Sequence, residues 1–112
     1  PLFWTRAPRR NLTSKVYIPQ SVDLHDVTSA KLLVKTWNGV DRSGPGTHST
    51  KVNGWKIPEI YGENHHFSAD ALTVQIDKIV HGDNIITFDS ASRDHGIEIL
   101  WPGPALSLRF GR

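Results

Sequence analysis

Apolar residues recur at every second position along most of this chain, and the spacing of an amphipathic helix is absent. Residues 30–37, Ala-Lys-Leu-Leu-Val-Lys-Thr-Trp, form the longest such run and read as a strand. In residues 72–76, Leu72, Val74 and Ile76 share one face, with Thr73 and Gln75 on the other. Residues 15–19 read as a short strand closed by Pro19, and residues 85–88 as a buried one. Two further segments, 97–101 and 105–110, are separated by Pro102-Gly103-Pro104. Neither proline can donate to a ladder, so the interruption predicts a bulge, a kink or a crossing between sheets. Helix is confined to single turns at 68–71 or 77–80.

Between these runs lie turn signals about every ten residues. Asn38-Gly39 closes the long strand and opens a polar loop that continues to residue 50. Residues 51–58 read as a hairpin around Asn53-Gly54, because a type I′ turn needs positive φ at both central positions. A second loop runs from 59 to 66, a turn falls at residues 81–84, and residues 90–96 form a polar loop. The pattern predicts an all-β fold, an antiparallel β-sandwich or jelly roll of about eight short strands. Residues 15–112 form one domain; residues 1–14 form a basic N-terminal arm or a first edge strand, with Arg6, Arg9 and Arg10 reading as a solvated arm.

Composition narrows the chemistry. The chain has 112 residues and no cysteine, which removes disulfides, thiolate chemistry and Cys-ligated zinc. A net charge of +2 with dispersed Lys and Arg lacks the dense basic patch of a nucleic-acid domain. No apolar run approaches the ~18 residues of a membrane helix. The expectation is therefore no nucleic-acid and no membrane partner.

The order of features then resembles a known superfamily. An alternating strand leads into Val52-Asn53-Gly54, and a later one closes on residues 77–86, Asp-Lys-Ile-Val-His-Gly-Asp-Asn-Ile-Ile. This is similar to the galactose-binding-domain-like β-sandwiches, a group that includes jelly-roll sugar-binding domains and many carbohydrate-binding modules. The likeness covers about residues 15–110 and rests on the two glycine turns. It implies a jelly roll, a polysaccharide or oligosaccharide partner, a secreted location and attachment to a catalytic domain in a larger carbohydrate-active enzyme.

Aromatic rings are the candidate sugar platforms, since the C–H face of a pyranose packs on a ring while its hydroxyls need fixed partners. Trp55, just after a hairpin turn, and Tyr61, in a polar loop, read as exposed. Trp37, at a strand end, divides between core and surface with the core favoured, and Trp101 divides evenly. Arg93-Asp94-His95 offers a forked cation, an acceptor and a neutral donor or acceptor to hydroxyls, and His65 adds another. The expected ligand-binding set is Trp37, Trp55, Tyr61, His65, Arg93, Asp94, His95 and Trp101.

No HExxH, Gly-x-Ser-x-Gly or phosphate-loop motif is present. Asp23, Asp26, Asp41, Asp83 and Asp89 offer oxygens for a structural calcium, without a dense carboxylate loop. The expected function is a non-catalytic carbohydrate-binding module. The alternatives are a structural or protein-interaction sandwich, with Trp55 and Trp101 as its interface, and a small lyase or hydrolase using Asp94 and Glu98.

Overall fold

A computed structural model describes residues 2–8, 11–42, 44 and 46–111. Among these residues nine strands form: β1 (Phe3–Thr5), β2 (Leu12–Ile18), β3 (Val27–Trp37), β4 (His48–Val52), β5 (Trp55–Lys56), β6 (Phe67–Val74), β7 (Gly82–Ser90), β8 (Ile97–Ile99) and β9 (Ala105–Phe110). They make two antiparallel sheets. One runs β1-β8-β3-β6, with β9 also on β3, and the other runs β2-β7-β4-β5. Consecutive strands alternate between sheets for most of the chain, which is the order of a jelly roll. Among the described residues, helix is limited to two single 3₁₀ turns, Leu24–Asp26 and Ile76–Lys78.

The first sheet is organised around β3. Its alternation buries Ala30, Leu32, Val34 and Thr36 and turns Lys31, Leu33, Lys35 and Trp37 outward. Along one flank β3 pairs with β6, from Ala30 opposite Val74 to Trp37 opposite Phe67. Its other flank is shared end to end by β9 and β8. The Pro102-Gly103-Pro104 interruption is thus a kink within one line of strand, and the Leu100 amide still donates to the Lys35 carbonyl at 2.9 Å. The core between the sheets is filled by Leu32, Leu72, Val74, Ile86, Phe88, Ile97 and Ile99, all essentially inaccessible.

Residues 68–71 lie within β6 and form no helical turn. Ser68, Ala69, Asp70 and Ala71 favour no strand by composition, but pairing with β3 satisfies their backbone and overrides propensity. The Asn53-Gly54 hairpin forms with φ of 49° and 82°, pairing Val52 with Trp55.

The two turn motifs are physically coupled. Asn84 is fully buried at the start of β7. Its Oδ1 accepts from the Val80 amide and from Asn53 Nδ2, both at 2.9 Å, and its Nδ2 donates to the Val80 carbonyl at 2.9 Å and the Val16 carbonyl at 3.2 Å. Asn53 in turn donates to the Lys78 carbonyl at 2.7 Å and accepts from the Ile85 amide at 2.8 Å. This network ties the β4–β5 hairpin to the turn before β7.

Candidate functional site

The loops β3–β4, β5–β6 and β7–β8 gather at one end of the sandwich, and Asn38 knots them. Its φ of 58° is left-handed, a conformation that asparagine tolerates better than most residues. Its fully buried side chain donates from Nδ2 to Asp41 Oδ1 at 3.1 Å, the His95 carbonyl at 3.1 Å and the Gly96 carbonyl at 3.3 Å. Its Oδ1 accepts from the His65 amide at 2.8 Å, and its own amide donates to the His66 carbonyl at 3.1 Å. One side chain therefore holds a residue from each loop.

Asp41, also buried, extends the knot by accepting from Ser92 Oγ at 2.8 Å. Two glycines allow the backbones to meet at this density. A Cβ on Gly62 would lie 2.5 Å from Gly39 Cα, and one on Gly96 would lie 2.1 Å from the Thr5 carbonyl oxygen.

Three rings stand on this base. His65 stacks on Trp37 with centroids 5.5 Å apart, and His95 presents an edge-to-face contact to His65 at 4.3 Å and to Trp37 at 6.1 Å. Both histidines are exposed and Trp37 is half-buried. His65 adopts a φ of 50°, so the turn aims its ring at the tryptophan instead of continuing a strand. Around the rings, Arg42 Nε lies 3.7 Å from Asp94 Oδ2. Arg6 donates to the carbonyls of Arg93 and Asp94 at 3.3 and 3.4 Å, so it is tied to the β7–β8 loop. Arg9 and Arg10 lie outside the described residues.

The structure divides the expected ligand-binding set. Trp37, His65, Arg93, Asp94 and His95 come together at the loop end. Trp37 faces outward from its sheet; the expectation of a core position fails because it shares parity with Lys31 and Lys35.

Tyr61, expected to be exposed, is packed against the core, and its hydroxyl is 2.6 Å from Thr50 Oγ1. Burial pushes its pKa up to about 12. Trp55, also expected to be exposed, is half-buried against the core on the opposite sheet. The two-residue β5 folds back along β4 and lays the indole over the sandwich edge.

Trp101 is 76% exposed and belongs to a separate groove with Leu33, Ala69, Ala71 and Ala105. Sequence reasoning missed Asn38, Asp41 and Ser92 as site-building residues. Only the Asn-Gly pair at 38–39 hinted at the first of them.

Beneath the loops, His48 Nδ1 is 2.8 Å from Ser90 Oγ. Burial holds its pKa below the usual histidine value, with Asp41 and the Asn38 backbone partly offsetting that effect. The five aspartates offered for calcium are employed separately where their bonds are defined. Asp23 Oδ1 accepts from the His25 amide at 3.0 Å, Asp83 lies 4.0 Å from Lys15 Nζ, and Asp41 is spent on Asn38 and Ser92. Among the described residues, no three His, Asp or Glu side chains are grouped to hold a metal ion.

Fold and site together define a jelly-roll β-sandwich with an aromatic cluster at one loop end. Comparison with protein-family models, curated proteins and solved structures gives no match for the chain.

Proposed function

We propose that the chain is a non-catalytic carbohydrate-binding module that recognises a polysaccharide or oligosaccharide and works as a secreted part of a larger carbohydrate-active enzyme. The observation that carries this reading is the Trp37–His65–His95 cluster, solvent-facing and fixed from below by Asn38. Indole and imidazole faces suit the C–H face of a sugar ring. The histidine nitrogens, with Arg93, Asp94 and Arg42 nearby, suit its hydroxyls. Rings held this firmly lose little freedom when a ligand arrives.

The test is calorimetry and affinity electrophoresis over a panel of neutral and uronic polysaccharides, with Trp37→Ala as the site variant. Binding that is lost in Trp37→Ala while the fold persists supports the reading. Absence of binding to every polymer sinks it.

One observation favours a second reading, a protein-interaction sandwich. The groove of about 470 Å³ between Trp101 and Leu33, Ala71 and Ala105 is largely apolar. Exposed apolar surface of this kind suits docking against a neighbouring domain. Trp55 cannot share that interface, because it lies on the other sheet. A complex with a neighbouring domain that survives Trp101→Ser would remove the groove as its interface, and absence of any such complex would remove this reading.

A further inference from the structure

The strand register of the first sheet carries the outward face beyond the loop cluster. Trp4 on β1 sits opposite Glu98 on β8, Glu98 sits opposite Trp37 on β3, and Trp37 sits opposite Phe67 on β6. The inward neighbours Thr5, Thr36, Ile97 and Ile99 are all buried, so the four residues share the solvent side. Phe67 is 60% exposed, and Trp4, Glu98 and Trp37 are half-buried. A single row of indole, carboxylate, indole and phenyl therefore crosses four strands at right angles to their direction.

Both indoles of the row are held in place. The Arg6 guanidinium carbon lies 5.4 Å from the centroid of Trp4, while Arg6 is itself bonded to the Arg93 and Asp94 carbonyls. Trp37 is fixed by His65 and His95.

We propose that this row is the binding platform for a neutral, unbranched glycan lying across the strands. The proposal rests on the carbohydrate-binding reading and adds the ligand's shape and charge. Strands ~4.8 Å apart place the two indoles about 10 Å from each other and the whole row over about 14 Å, room for about three sugar units. Glu98, between the indoles, is a pure acceptor when ionised and suits the hydroxyls of the sugar between two stacked ones. A uronic unit at the middle position would bring a carboxylate against that carboxylate, whereas the Arg6 cation stands at the Trp4 end, so charge selects a neutral sugar at the middle position. Phe67 extends the apolar track beyond Trp37.

Calorimetry with cello-, xylo- and manno-oligosaccharides of increasing length, and with oligogalacturonides, tests the platform on the intact chain. For at least one neutral series, affinity is expected to climb through about three units, as the row's span requires, and then level off. Phe67→Ala removes an exposed side chain, so its fold, checked by urea denaturation, is expected to be unchanged. It should weaken the longer oligomers about three- to tenfold and leave the single sugar unaffected. Glu98→Gln should weaken the neutral chains and narrow the margin over oligogalacturonides.

Equal affinity for one unit and six overturns the platform. So does a folded Phe67→Ala variant with unchanged affinities, or a preference for uronic chains. Each of those results leaves carbohydrate binding intact, whereas no binding to any oligomer removes both.

Discussion

Gly39 and Gly62 touch backbone to backbone: a Cβ built on either would fall within 3 Å of the other's Cα. The contact pulls the β5–β6 loop onto the β3–β4 loop and so delivers His65 to Trp37. Gly62 also has a φ of 86°, which an L side chain adopts at a cost.

Gly62→Ala combines that backbone cost with a clash against main chain, and a destabilisation of about 2–4 kcal/mol is expected. Urea denaturation measures it. On the carbohydrate-binding proposal, glycan affinity should fall with it, because His65 leaves the indole. Unchanged stability would show that the loops part without cost.

Asn38→Asp replaces a buried donor with a third set of acceptor oxygens facing Asp41 and the carbonyls of His95 and Gly96. Three attractive contacts become repulsive. A loss of about 3 kcal/mol or more is expected, exceeding that of Asn38→Ala, which deletes the bonds and adds the smaller cost of alanine at a left-handed φ. A reversed order, with the aspartate variant the more stable, would mean that the side chain does not act as a donor here.

Tyr61 gives a stability change at alkaline pH. Its pKa rises from 10.0 to about 12 on folding, chiefly through burial. The folded chain therefore holds this proton more tightly than the unfolded chain. The contribution is complete below about pH 10 and is lost progressively as pH rises toward 12. Lysines titrate in the same window, so the informative quantity is the difference between the wild type and Tyr61→Phe. The variant should lose stability less steeply above pH 10 while being weaker by about 1–2 kcal/mol at neutral pH, because Thr50 Oγ1 loses its 2.6 Å partner. Parallel curves above pH 10 would contradict the burial.

Trp101→Phe tests the outer groove. Trp4, Trp37 and Trp55 are at most half-exposed, whereas Trp101 is 76% exposed. Iodide quenching of tryptophan emission should fall sharply in this variant, and stability should stay within about 0.5 kcal/mol of the wild type. If the glycan row is as described, a bound oligosaccharide protects the residual Trp37 signal and leaves Trp101 quenchable in the wild type. Protection of Trp101 instead would shift the ligand onto the groove.

Period-two alternation made the sandwich legible, because each long strand has one face against the core. The coupled turns were legible as turns, from Asn53-Gly54 and Gly82-Asp83-Asn84. Their link through buried Asn84 was not, since it joins residues distant in sequence through side chains.

The orientation of Trp37 was available in the sequence through its parity with Lys31 and Lys35, and the strand-end position obscured it. Tyr61 was misread for the opposite reason, since a loop residue carries no parity and its burial depends on how the backbone folds over the core. Trp55 faces buried Val52 and shares parity with buried Ile57, a signal that the adjoining turn obscured. The row of Trp4, Glu98, Trp37 and Phe67 depends on register between four strands, which periodicity within one strand cannot supply.

The shared flank of β3 has a consequence for how the molecule is made. Val27 faces Phe110 across the β3–β9 ladder, while Thr36 faces Ile99 on β8, so one edge of the central strand stays open until the last strands have been synthesised. Closing such distant pairings sacrifices much chain entropy before any contact compensates it, and folding is accordingly expected to be slow, on the millisecond-to-second scale of sandwich domains. During that interval the β3 edge presents unpaired backbone N–H and C=O groups, a template for pairing with another chain. A nascent chain in that state is the form most exposed to aggregation and the one a chaperone would meet.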